Sequence, residues 1–215
     1  MLTSEKFYAN YDLLMPKLCE PYELFIKMGA AAIPENARTV CDLGIGTGNF
    51  SAEVKKRLPY AEFSGIDLNE NSTVVARKKI NGVQIYNRDL FSIPLPESDY
   101  MISSLTAHHF DTATRMDKLA NIAKSAKMGF VNFDLALFEG NSIEDVIRLA
   151  LRFAEKSFPD IETLRQIEHE MRTKDNPMPL QEQKDLFESL GMNFDIIAKR
   201  APYVVYHAFW PNIKP

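Results

Sequence analysis

Short apolar runs and amphipathic stretches alternate along the first two thirds of the chain. Nearly continuous apolar runs at 39–44, 62–68, 83–88, 99–105 and 129–137 predict β-strands. Between them, 48–58, 70–80 and 113–126 carry apolar residues at helical spacing. Strands alternating with helices imply a mostly parallel sheet covered by helices on both faces. The strand runs lack polar alternation, as strands buried on both sides should. Upstream, residues 20–32 read as an amphipathic helix with Pro21 near its start, stopped before Pro34. Downstream the rhythm changes. Residues 142–157 and 160–173 form two helical patterns, and the TKDNPMP segment reads as a loop. A helix over 180–190 should end at Gly191. Two closing strands, 193–200 and 203–209, flank Ala201-Pro202 and predict an antiparallel hairpin, because so short a connection allows no crossover.

The first strand breaks into glycines at 44, 46 and 48, within TVCDLGIGTGNF. Glycine weakens regular elements, so this density implies a close approach to the main chain. In a doubly wound sheet, ligands bind beyond the carboxyl ends of the strands where strand order reverses. A glycine turn there presents backbone N–H groups and a helix N-terminus. The dinucleotide spacing G-x-G-x-x-G would need glycine at 49, where Asn49 stands. The pattern present is D-x-G-x-G-x-G, from Asp42 to Gly48 with Ile45 between the first two glycines.

That pattern resembles motif I of the class I S-adenosylmethionine-dependent methyltransferases, of small-molecule type. The resemblance implies a Rossmann-like α/β fold: a doubly wound seven-stranded sheet with an antiparallel last strand, an N-terminal helical lid and a helical cap insertion. It implies S-adenosylmethionine as cofactor and S-adenosylhomocysteine as product. It implies that Asp67, at the end of the second strand, serves the ribose hydroxyls, and charge-assisted hydrogen bonds suit a carboxylate for that task. Asp89 falls where the family contacts the adenine amino group, with Leu68 and Leu90 flanking the ring. SSLTAHHF, 103–110, corresponds to the motif IV region and brings Ser104 to the cofactor. Each residue has a plainer reading: Gly46 as a turn, Asp67 and Asp89 as caps. Three such roles at successive strand ends are less economical than one shared ligand.

His108 and His109 lie at the mouth of this inferred site. Neighbours on an extended segment point opposite ways, so one should face the pocket. Small-molecule enzymes of the family resemble this segment in placing a histidine ahead of an apolar residue, here Phe110. His109 is therefore the expected general base, and His108 the second choice. The competing reading is a structural turn, since methyl transfer needs little beyond alignment. No metal is expected, because adjacent histidines on an extended segment do not face one ion. Tyr8 and Tyr11 resemble a lid that folds over the cofactor, with plain packing as the alternative. In the acceptor cap, Arg148, Arg152, Arg165, His169 and Arg172 read mainly as helix-surface residues, with Glu144 and Arg148 a four-residue pair.

Composition narrows the function. The chain has 215 residues, 46% hydrophobic and 25% charged, long enough for one substantial domain. The expected segments are a lid over 1–37, a cofactor core over 38–137, an acceptor cap over 138–178 and closing elements over 179–215. A formal charge of −4 gives no electrostatic case for nucleic acid. No apolar run reaches membrane-span length, and MLTSEKFYAN does not read as a secretory signal. Cys19 and Cys41 lie apart without metal-type spacing, which fits a reducing cytoplasm. The expected partner is a small-molecule acceptor, with no nucleic acid and no membrane; the oligomeric state stays open, a homodimer included. The expected activity is methyl transfer (EC 2.1.1.-). One rival is an enzyme that modifies the cofactor itself, because 11–32 resembles the opening of carboxy-S-adenosylmethionine synthase. Others are a dinucleotide oxidoreductase, disfavoured by Asn49, and a silent binding protein.

Overall fold

The computed structural model describes residues 10–92, 94–158 and 160–211. Tyr8 lies outside them. Two helices, α1 (Tyr11–Leu18) and α2 (Tyr22–Ala31), precede β1 (Thr39–Leu43). The alternating part follows as α3 (Asn49–Arg57), β2 (Glu62–Ile66), α4 (Glu70–Lys79), β3 (Gln84–Tyr86) and β4 (Ser98–Ser104). After a 3-10 turn at Ala107–His109 come α5 (Arg115–Ser125) and β5 (Ala126–Leu137). Then come α6 (Ile143–Ala154), α7 (Ile161–Lys174), β6 (Met178–Pro179), α8 (Leu180–Ser189), β7 (Asn193–Arg200) and β8 (Tyr203–Phe209).

The main sheet has the order β3-β2-β1-β4-β5-β8-β7, and β6 adds a two-residue pairing beside the end of β5. Among the described strands, β8 alone runs opposite to the rest, pairing antiparallel with both β5 and β7. The expected seven-stranded sheet with an antiparallel last strand is present. The short β6 is an addition, lying in the stretch whose Pro and Asn content reads as a loop. The strand order reverses between β1 and β4, whose registers pair Val40 with Tyr100 and Leu43 with Ser103. That reversal opens the crevice where such sheets bind ligands.

Two apolar layers explain why the strands form where they do. Val40, Phe63, Tyr100, Val131 and Phe133 face one side, against Phe50 and Val54 of α3 and Phe25 of α2. Cys41, Leu43, Ile66, Met101 and Phe130 face the other, against Leu119 and Ile122 of α5 and Phe187 of α8. Period-two alternation between two covered faces makes most strand positions apolar, so the sequence shows runs rather than alternation. Local signals set the helix ends. Asn69 caps α4 by accepting from the Ser72 N–H (3.2 Å), and Ser142 with Asp145 forms a capping box on α6. Gly191 follows α8 with φ 89°, the left-handed position expected of it.

Candidate functional site

The crevice is built from the strand ends that the sequence singled out. Gly44 ends β1 with its N–H donating to the Ile66 carbonyl (2.8 Å), which ties the glycine loop to β2. Its φ is 72°, and a Cβ there would lie 2.3 Å from Oγ1 of Thr106. Glycine at 44 is thus required by the β4 end packed on it. Gly48, the N-cap of α3 with φ 80°, is required by Ile80 and Ala76. Gly46 differs. Its φ is 51°, yet the nearest atom to a Cβ would be 3.9 Å away. Two of the three glycines serve packing, and the middle one leaves open space beside the backbone.

Asp67 stands opposite that opening. Its Oδ2 accepts from the Gly46 N–H at 2.7 Å and its Oδ1 from the Asn69 N–H at 2.7 Å. The helix cap belongs to Asn69, so the plain capping role considered for Asp67 falls to its neighbour. Burial raises the Asp67 carboxyl above its usual value, and the two N–H donors only partly offset this. Asp42 is more extreme. It is buried on β1, accepts from Ser51 Oγ at 2.7 Å, and is pushed up to about 7 by desolvation, with Asp67 adding repulsion.

The β4 end contributes Ser104, whose buried Oγ has no hydrogen-bond partner among the described residues. The next residue, Leu105, has φ 51°, a conformation uncommon without glycine. This turn presents Thr106 to Gly44 and starts the 3-10 turn. Together Tyr11, Tyr22, Asp42, Gly46, Asn49 and Ser104 line a recess of about 30 Å³. Ile45 lines it too and is buried against Gly65.

Helix α1 closes this recess. Asp12 accepts from Thr47 Oγ1 (2.6 Å), Asn49 Nδ2 (2.9 Å) and Lys79 Nζ (2.5 Å). Burial alone would raise the Asp12 carboxyl, but Lys79, Thr47 and Asn49 more than offset it and hold it below its usual value. Tyr22 joins the cluster through Asn49 (3.0 Å), with Tyr11 edge-on to its ring at 6.5 Å. Tyr22, Thr47 and Asn49 line this candidate site, and Asp12 and Thr106 contact its lining; sequence reasoning assigned none of them to it. Their partners lie up to 67 positions apart, so no local spacing reveals them.

Elsewhere the sequence-selected residues are placed less centrally. Leu68 is 74% exposed after β2. Asp89 is exposed and accepts from the Phe91 N–H at 3.0 Å, a local turn contact, while Leu90 packs on the second apolar layer. Arg172 pairs with Glu144 across α6 and α7 (2.5 Å) and with Glu168 on its own helix (2.8 Å). Arg148 bonds Asp145 rather than the Glu144 that its spacing suggests.

The histidines depart most from expectation. Residues 107–109 form a 3-10 turn, so the two rings lie on one side, with centroids 4.0 Å apart. The premise of opposite-facing neighbours on an extended segment does not hold. His108 is the buried one. Its Nδ1 pairs closely with Asp134 Oδ1, its backbone N–H donates to Asp134 Oδ2 (3.1 Å), and its Nε2 lies 3.7 Å from Asp175 Oδ1. Burial pushes this imidazole down, but Asp134 and then Asp175 reverse the effect, leaving it raised. The His109 side chain is half exposed, its Nδ1 3.4 Å from the same Asp175 oxygen.

Comparisons with known proteins agree with this architecture. Residues 40–129 match the family model described as a methyltransferase domain. A demethylmenaquinone methyltransferase of Deinococcus radiodurans is 32% identical over 97 residues, covering 42% of this chain and 40% of that protein. The chain thus spans about two fifths of the curated relative that it matches. An O-methyltransferase family protein from Burkholderia thailandensis superposes with a TM-score of 0.68 at 17% identity, over 96% of this chain and 60% of that one. The plantazolicin methyltransferase BpumL, solved with S-adenosylhomocysteine, superposes with a TM-score of 0.66 at 16% identity, over 96% and 89%. Among the described residues, no helix is long and apolar enough to cross a membrane. The chain has the Rossmann-like fold of these methyltransferase structures, and its residues 40–129 match the methyltransferase-domain family model.

Proposed function

We propose that this protein transfers a methyl group from S-adenosylmethionine to a small-molecule acceptor. The observation that carries the reading is the conjunction at Gly46: open space beside the main chain, a strand-end carboxylate on its N–H, and the unpartnered Ser104 hydroxyl beneath the same recess. A nucleoside cofactor needs these features: close backbone approach, an acceptor for ribose hydroxyls, and a buried polar group awaiting a partner. When bound, S-adenosylmethionine supplies a methyl carbon already activated by its sulfonium.

The remaining work falls to this chain. Asp67, whose oxygens accept from the Gly46 and Asn69 N–H groups, would hold the ribose hydroxyls. Asp42, which lines the same recess and whose carboxyl is pushed up to about 7 by burial, would face the cofactor as a carboxylate only above that pH. Helix α1 borders the recess through Tyr11 and would act as its lid. Its Asp12 contacts to Thr47, Asn49 and Lys79 hold that cover in place and would exclude water. The acceptor's proton would pass to the histidine pair after β4: His109 is the half-exposed member, while His108 is buried with its ring nitrogens facing Asp134 and Asp175.

Isothermal calorimetry with S-adenosylhomocysteine, S-adenosylmethionine and NAD tests the reading. One-to-one binding of the first two, with NAD much weaker, is the expected result. Tight NAD binding without S-adenosylhomocysteine binding would overturn it.

A further inference from the structure

We propose that His108, His109 and Asp175 form a binding site for a divalent transition-metal ion of the zinc type. Each offers one ligand atom, and these atoms all lie within 4.8 Å of one another. Asp175 Oδ1 is 3.4 Å from His109 Nδ1 and 3.7 Å from His108 Nε2. Ligands about 2.1 Å from one tetrahedral ion stand about 3.4 Å apart, so little movement closes the cluster around it. Two imidazoles and a carboxylate are a borderline-soft donor set, matching zinc and leaving a fourth position open.

The surroundings support the ligands as a metal site requires. Metal-binding histidines commonly give their second ring nitrogen to a carboxylate, which fixes tautomer and ring orientation. His108 does this: Nδ1 is held by Asp134, itself nearly fully buried and fixed by the His108 and Leu135 N–H groups. Nε2 is left to face Asp175. The backbone is fixed as well, since the Asn176 N–H donates to the His108 carbonyl at 2.5 Å and ties the end of α7 to the 3-10 turn. There is an entry path, because the His109 side chain is 50% exposed while Asp175 and His108 are 13% and 7% exposed. Two carboxylates against two imidazoles leave net negative charge when the imidazoles are neutral, and a dication balances it.

The placement gives the ion a use. The cluster joins the end of β4 to the end of α7, where the cap meets the crevice. With the ion bound, the imidazoles serve as ligands, and a hydroxyl or thiol reaching the open position would have its pKa lowered toward neutral, its proton passing to solvent water. This use rests on the methyl-transfer reading; metal binding itself does not.

The test titrates cobalt(II) and zinc into the chelator-stripped full chain, without cofactor, following cobalt's visible ligand-field absorption and the calorimetric heat. One equivalent per chain is expected, with the strong visible bands of a low-coordinate site. His109→Ala alters a half-exposed side chain and should remain folded; it should weaken binding at least about tenfold, as should Asp134→Asn through loss of His108 orientation. His169→Ala, on the exposed side of α7, should bind normally. No saturable binding, or binding unchanged in His109→Ala, overturns the proposal. Measuring S-adenosylhomocysteine affinity on the same stripped protein separates the two readings, since a lost metal site leaves cofactor binding intact.

Discussion

Asp42 gives the sharpest prediction. Its carboxyl rises from 3.8 to about 7 because it is fully buried, with one hydroxyl donor in Ser51 and a second carboxylate, Asp67, nearby. The folded chain therefore holds a proton on Asp42 that the unfolded chain has already released between pH about 4 and about 7. Stability contributed by the protonated group is fully present below the unfolded value and is lost as pH rises through the folded one. A shift of about three units corresponds to roughly 4 kcal/mol at most. Asp42→Asn keeps an acceptor for Ser51 and carries no charge at any pH. Its added amide N–H₂ costs something, but equally across the pH range. Guanidinium unfolding of the cofactor-free protein at half-unit steps from pH 4.5 to 8 reads the effect as a difference between variant and wild type. That difference should move toward the variant by about 2–4 kcal/mol across the window and level off above pH 7. A difference independent of pH would refute the desolvation argument. The same variant should bind S-adenosylmethionine less tightly, because the charge that destabilises the empty protein faces the recess.

Two further variants separate packing from ligand approach. Gly44→Ala drives a methyl into Thr106 at a positive φ, and should cost at least about 2 kcal/mol of stability by strain and overpacking. Gly46→Ala meets no atom closer than 3.9 Å; it should cost only about 1–2 kcal/mol, the left-handed penalty, while S-adenosylhomocysteine affinity falls steeply by calorimetry. Equal stability losses in the two variants would remove the case for a ligand opening at Gly46. Asp67→Ala should lose about 1.5–3 kcal/mol of cofactor affinity, the scale of a hydrogen bond to a charged group. An unchanged dissociation constant in the folded variant would mean that Asp67 only ties the Gly46 loop to β2.

The sequence by itself determined the sheet and the loop at its centre. Strands buried on both faces must be apolar at successive positions, and Val40, Cys41 and Leu43 on β1 show this in five residues. The helix boundaries were written just as locally, in the Asn69 cap and in Gly191. The strand-end residues Gly44, Gly46, Gly48 and Asp67 were legible because a loop that hosts a ligand needs unusual residues at fixed, short spacing. What each glycine does was not, since Gly44 answers to Thr106 and Gly48 to Ile80 and Ala76, and only packing brings those side chains near. Nor was the cover, because Asp12 meets Thr47, Asn49 and Lys79 across dozens of residues. The histidine pair marks the limit most clearly. Two adjacent residues point opposite ways on a strand but stand only about 120° apart on a 3-10 turn, and their sequence is the same in both. The turn, the burial of Asp134 on β5 and the arrival of Asp175 from the end of α7 are long-range events. They turn two neighbouring histidines into one cluster of imidazoles and carboxylates.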